Sequence, residues 1–125
     1  KNFVCPSLFM AEELKRNGGK TWVYQFNRVR DDELAQKYGA FHGAELPYVF
    51  DTHDQWLPTN KADKVLTEEI QSYWLSFAKT GDPNNDGAVV WPEYESSNDS
   101  TLVLDNEIYQ RSHESSEICK IMDLF

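Results

Sequence analysis

The segment that most restricts what this chain can fold into is "TWVYQF", Thr21 to Phe26. Trp22, Tyr24 and Phe26 alternate with Thr21, Val23 and Gln25, the period-two pattern of a β-strand. Val23 lies on the face opposite the aromatic residues, which predicts a strand buried on both sides. Such a strand needs neighbours, because a single good strand does not make a stable sheet. Only two other short runs read as strands, "AVVWPEYE" at 88–95 and "STLVLD" at 100–105, separated by a polar turn. The expectation is an α/β chain carrying part of a sheet whose other strands lie elsewhere. The first residue is Lys1 rather than methionine, and the same expectation covers it: a piece of a longer chain.

Helices fill the remaining length. Pro6 to Asn17 is expected to be a short helix, with proline in the first turn and Leu8, Ala11 and Leu14 on one stripe. Gly18-Gly19 supplies its stop. The clearest helix follows "LPTN". Thr59 or Asn60 caps it, Asp63 sits in the first turn, and Leu66, Ile70, Tyr73, Trp74 and Phe77 make one broad apolar face. Gly81 and Pro83 end it. "SSEICKIMDLF" predicts a final amphipathic helix with Ile118, Ile121, Met122 and Phe125 inward. The charged "RVRDDE" run reads as loop.

Composition narrows the partners. A formal charge of −9 and a pI near 4.7 argue against nucleic acid or an anionic membrane surface. No apolar run approaches the roughly 18 residues of a spanning helix. The two cysteines, Cys5 and Cys119, lack the neighbours of a metal site. From spacing alone they read as free buried thiols or as one bridge closing a long loop, the thiols being favoured.

Several residue patterns carry chemistry. Asp82, Asn84, Asp86, Gly87 and Glu93 fit the calcium-loop pattern position for position. Against this, Pro83 stiffens the loop, and "WPEYESSNDS" cannot supply an exit helix. A polar helix-to-strand turn is the simpler reading, with a calcium-binding helix–loop module as a weaker alternative. His42 and Glu45 form an H-x-x-E pair, yet Gly43 and Pro47 make a regular helix doubtful there, and no third ligand has helical spacing. No metal and no cofactor are expected. His53 and His113 read as surface histidines. His42 follows the strand and a loop, with Gly39 and Gly43 allowing close backbone approach, a position suited to a general base. On residues alone, a buried structural histidine remains the better reading.

The segment "GAFHGAELPYVF" resembles the surroundings of the active-site histidine in the type-B carboxylesterase family, which includes cholinesterases and bacterial para-nitrobenzyl esterases. The matches run in order along the whole chain. "FVCPSLFMAEELKRNGGKTWVYQFNR" resembles the family's helix and late sheet strand, and "YWLSFAKTGDPN" its recognisable helix end. "WPEY", "LVLD" and a terminal helix holding a cysteine match its closing elements.

The resemblance implies the C-terminal part of an α/β-hydrolase fold. Residues 1–125 would be a C-terminal fragment of a single α/β-hydrolase domain, not an independent one. In that fold the triad runs serine, acid, histidine, and this chain holds only the last member. There is no G-x-S-x-G, no glycine-rich oxyanion loop and no orienting glutamate. His42 is the one catalytic residue carried over, with Gly43 and Glu45 supporting its loop. The resemblance also favours a Cys5–Cys119 disulfide and a secreted or periplasmic setting. "NDS" at Asn98 to Ser100 fits a glycosylation acceptor in a eukaryotic secretory route.

The expected whole is a serine carboxylesterase acting on a small-molecule ester. A general base must be neutral, so activity is expected to fall toward acid. The fragment alone is expected to be inactive, to depend on the remainder of the esterase chain, and to self-associate through its strand. A non-catalytic, cholinesterase-like adhesion or interaction module is the alternative, decided by the residue at the nucleophile elbow of the parent chain.

Overall fold

The computed structural model describes residues 3–55, 58–112 and 119. Its elements are α1 (Val4–Arg16), β1 (Tyr24–Phe26), α2 (Glu33–Tyr38), α3 (Leu46–Phe50), α4 (Lys61–Thr80), β2 (Thr101–Leu104) and β3 (Tyr109–Arg111). The strands form one sheet in the order β1-β2-β3. β2 is central and buried at every residue, as the continuous apolar run Leu102, Val103, Leu104 requires. β1 is shorter than the alternation predicted. Its Tyr24 and Phe26 are half-buried and Gln25 is exposed, so two-sided burial is not reached. The reason is its edge position: among the described residues only β2 pairs with it. The predicted strand at 88–95 is absent. Pro92 has no amide hydrogen to donate to a ladder, and the segment is held instead by single bonds.

The chain divides into two units. The first comprises Lys1–Gln25, Trp91–Leu102 and Gln110–Phe125. Cys5, Leu8 and Ala11 of α1 form its core with Tyr94 and Cys119, and Val23 packs against them. Leu14, expected on the same stripe, is instead 51% exposed. The amides of Gly18 and Gly19 bond back to the carbonyls of Lys15 and Leu14, which ends α1 where the glycine pair predicts. The 91–95 segment is tied by Trp91 Nε1 donating to the Val23 carbonyl (3.0 Å) and by the Tyr94 amide donating to the Thr21 carbonyl (2.8 Å). Lys15 donates to the Tyr94 carbonyl at 2.9 Å and pairs with Glu95. Cys5 and Cys119 are joined in a disulfide with Cα atoms 5.5 Å apart. The inward positions proposed for Ile118, Ile121, Met122 and Phe125 lie outside the described residues, as does His113.

The second unit comprises Phe26–Val90 and Val103–Tyr109. Its main element is α4, started by a capping box: the Asn60 side chain accepts from the Asp63 amide while Asp63 accepts from the Asn60 amide. Leu66, Ile70 and Tyr73 are buried as the periodicity predicts, and each aliphatic side chain stabilises by ~1.5–3 kcal/mol. Phe77, placed on the same face by sequence, is 49% exposed and Trp74 half-buried. Gly81, at φ 77°, closes the helix through its amide bond to Phe77.

The turn after α4 is self-contained. Asp82 Oδ1 accepts from both the backbone and side-chain nitrogens of Asn84, each at 2.9 Å. No helix follows Gly87, and among the described residues no three His, Cys, Asp or Glu side chains gather to hold a metal. The segment is described by the simpler reading, a polar turn in which the first carboxylate serves an Asx turn.

Candidate active site

Between β1 and α4 the sequence suggested a loop, but two short helices occupy it. Asp32 caps α2, its Oδ1 accepting from the Ala35 amide at 2.9 Å, with Glu33 in the first turn. Gly39, at φ 66°, ends α2 and turns the chain toward His42. A run of tight turns follows: Phe41 amide to Gly39 carbonyl (3.0 Å), Ala44 to Phe41 (3.0 Å), Leu46 to Gly43 (3.2 Å). Gly43 sits at φ 90°, a region a side-chain-bearing residue rarely adopts, so the turn after His42 depends on glycine. Glu45 is the N-cap of α3, where its carbonyl accepts from Tyr48 (2.9 Å) and Val49 (3.1 Å). Pro47 is accommodated in the first turn of α3, the one helical place where its missing donor is harmless.

His42 is exposed in this chain, whereas residues alone favoured a buried structural histidine. A cavity of 330 Å³ lies beside its turn, lined by Phe41, Gly43, Ala44, Leu46, Pro47 and Tyr48, with Arg28 and Arg30 among the other residues. His42 itself does not line it. Glu45 is half-buried and makes no side-chain cap bond, and the H-x-x-E pair belongs to no metal-holding group among the described residues.

Behind this turn lies a buried polar network that the sequence did not reveal. Asp63, fully buried, accepts from Arg28 Nε and from the Tyr48 hydroxyl through the same Oδ1, both at 2.8 Å. Its Oδ2 accepts from the Asn60 amide at 2.9 Å. Arg28 also bonds Asp31 at 3.2 Å and the Val29 carbonyl at 2.7 Å. Arg30 Nε donates to the Tyr48 hydroxyl at 3.2 Å, and its guanidinium carbon stands 5.3 Å from the Tyr48 ring centre. The Tyr48 ring also packs on Phe26 and edge-on to His53, each at 5.0 Å.

His53, read from sequence as a surface residue, is half-buried between two partners. Arg30 Nη2 meets its Nδ1 at 3.0 Å and Thr67 Oγ1 meets its Nε2 at 2.8 Å. A guanidinium has only donors, so Nδ1 must accept and Nε2 carries the proton given to Thr67. Thr67 in turn donates to the Asp63 carbonyl at 2.7 Å.

The electrostatics follow from this wiring. Burial by itself would lower the Arg28 pKa, but its bonds to Asp63 and Asp31 prevail and hold it above the ordinary value. Burial opposes ionisation of Asp63 as well, yet bonds from Arg28, the Asn60 amide and Tyr48 keep its pKa below the ordinary carboxylate value. Tyr48 is pushed up to about 12, first by burial. It therefore remains a donor to Asp63 at any ordinary pH. His53 is lowered by burial first and by Arg30 second.

Known proteins share this arrangement of segments. The family model described as "Carboxylesterase family" matches residues 1–121. The chain is 40% identical over 101 residues to the para-nitrobenzyl esterase of Bacillus subtilis (strain 168), a match covering 77% of this chain and 20% of that protein. It is 34% identical over 101 residues to the acetylcholinesterase of Gallus gallus, covering 74% of this chain and 12% of the other. Among solved structures, a PNB esterase superposes with a TM-score of 0.70 at 36% identity, over 86% of this chain and 21% of that one. A thermophilic PNB esterase gives 0.72 at 34% identity, over 82% and 22%. The chain thus spans about a fifth or less of the relatives it matches. Its helices and sheet are part of an α/β-hydrolase fold. The chain belongs to the carboxylesterase family.

Proposed function

We propose that this chain is the C-terminal portion of a serine carboxylesterase and supplies its catalytic histidine, His42. The observation that supports this most is the exposed imidazole on a glycine-built turn beside a largely apolar cavity, within a segment matched to carboxylesterases. In the intact enzyme, His42 takes the proton of the serine hydroxyl as that oxygen attacks the ester carbonyl. It then returns the proton to the leaving alcohol, giving an acyl-serine. In the second half it removes a proton from water, whose oxygen attacks the acyl carbon and releases the acid and the free serine. Serine and triad acid come from the remainder of the chain. Gly43 allows the turn that displays His42, and Glu45 holds the start of α3.

The fragment reading has physical support. Many large apolar side chains are exposed, among them Phe50 (66%), Met10 (64%), Val90 (59%) and Leu75 (57%). Arg28 Nη2 is buried with no acceptor among the described residues, an unmet donor of the kind that costs ~1–3 kcal/mol. The exposed apolar side chains fit surfaces that a longer chain covers. On this reading, residues 1–125 taken alone are not an independent domain, have no esterase activity, and self-associate. The disulfide and the relatives fit a secreted or periplasmic enzyme, and no helix of the described residues is long and apolar enough to cross a membrane. The decisive experiment is His42→Ala in the intact enzyme with a para-nitrophenyl ester. The kcat should fall by about 10³-fold or more. A loss under about tenfold overturns the assignment, because a triad base cannot be dispensed with so cheaply.

A further inference from the structure

We propose that Tyr48, held by Asp63 and Arg30, is a positioning residue for His42. This rests on the catalytic reading of His42 and adds to it a group that never touches the reacting atoms. The backbone link is short and continuous. From the end of α2, hydrogen bonds run Gly39 amide to Ala35 carbonyl (2.7 Å), Phe41 to Gly39 (3.0 Å), Ala44 to Phe41 (3.0 Å), Leu46 to Gly43 (3.2 Å) and Tyr48 to Glu45 (2.9 Å). No stretch between Gly39 and Tyr48 is free of a turn bond, so the backbone that carries His42 is linked to Tyr48 by a continuous run of turns.

Tyr48 is in turn fixed to the scaffold. It is 1% exposed on α3, which packs against α4. Its hydroxyl donates to Asp63 Oδ1 (2.8 Å) and accepts from Arg30 Nε (3.2 Å). Asp63 is held by the α4 capping box and by Arg28, which follows β1. Arg28 and Arg30 precede the His42 turn and Tyr48 follows it, so both flanks of the turn meet at one buried carboxylate. Apolar packing of the Tyr48 ring on Phe26 and His53 is non-directional. The hydroxyl adds direction, because a hydrogen bond into a buried ion pair tolerates little displacement.

The test uses the intact esterase and a para-nitrophenyl ester. Tyr48→Phe keeps the ring and its packing and deletes only the oxygen, so the protein still folds. A Tyr94→Phe variant serves as control: it removes a buried hydroxyl bond to Asp99 (3.0 Å) in the first unit, away from the His42 turn in sequence. Tyr48→Phe is expected to lower kcat about tenfold with KM changed less than about twofold, the signature of a displaced catalytic group. Tyr94→Phe should lower the melting temperature and leave kcat unchanged. Three results overturn the proposal while leaving the catalytic reading intact: Tyr48→Phe with unchanged kcat, Tyr48→Phe raising KM alone, or Tyr94→Phe losing kcat equally. Retained activity in His42→Ala overturns the catalytic reading itself, so the two failures are distinguishable.

Discussion

The two units are stabilised by opposite means. The first closes an apolar cluster of Leu8, Ala11, Val23 and Tyr94 with a covalent bridge from Cys5 to Cys119. The second organises its end of α4 around a buried charge pair, Arg28 and Asp63, extended through Tyr48, Arg30, His53 and Thr67. An apolar cluster tolerates small shifts, because its attraction is non-directional. A buried charge does not, because each donor must reach its acceptor or leave it unpaired. The residues of the candidate catalytic turn belong to the second kind of unit. That is the environment expected where geometry matters more than bulk stability.

The comparison can be broken first at the disulfide. The bridged residues are 114 apart in sequence. Chain-entropy arguments give about 4–5 kcal/mol for a loop of this length, the largest single effect anticipated here. Replacing both cysteines by serine in the intact protein should therefore strip hydrogen-exchange protection from α1 while α4 keeps its own. Equal loss in both helices would mean that the units do not differ as described. Next in size is Asp63→Asn, which leaves the Arg28 guanidinium buried beside a neutral group. About 3 kcal/mol should be lost, the low end of the range for a broken buried pair because asparagine keeps an acceptor oxygen. Here α4 should lose protection and α1 retain it, the mirror image of the cysteine result.

Much of this was legible in the residue order, and what was not has a physical cause. The α4 boundaries followed from Asn60, Asp63 and Gly81, because caps act within one turn and need no knowledge of the rest of the chain. β2 was legible as an apolar run. The 88–95 strand failed because Val89, Val90 and Trp91 have strand propensity while Pro92 lacks a ladder donor. Helix α2 was missed although Asp32-Glu33 is a start signal, since the surrounding charges looked like solvated loop. The network was hidden for a different reason. Asp63 was visible as a first-turn helix residue, but its second role depends on Arg28, 35 positions away, and on Tyr48. Lone histidines are equally ambiguous: on residues alone His42 was favoured as buried and is exposed, whereas His53 was assigned to the surface and is half-buried between Arg30 and Thr67.

The smallest effect, and the one that separates the members of the network, is pH. Both His53 and Asp63 have folded pKa values below their ordinary ones, so for each the unfolded state binds protons more readily. Each therefore contributes stability at higher pH that is lost on acidification, but in different windows. The His53 loss begins as pH falls through the ordinary imidazole value of 6.5 and continues to its lowered folded value. The Asp63 loss begins only near the ordinary carboxylate value of 3.8. Protonating His53 places a second cation against Arg30 and removes the acceptor at Nδ1, which should loosen the Arg30–Tyr48 side before the Arg28–Asp63 pair is touched. His53→Gln can still accept from Arg30 and donate to Thr67, yet it does not titrate. The variant should flatten the fall in α4 protection between pH 6.5 and 4 and leave the steeper loss below it. A wild-type protein whose α4 protection is constant across that upper window would show that His53 is not coupled to the unit through its proton.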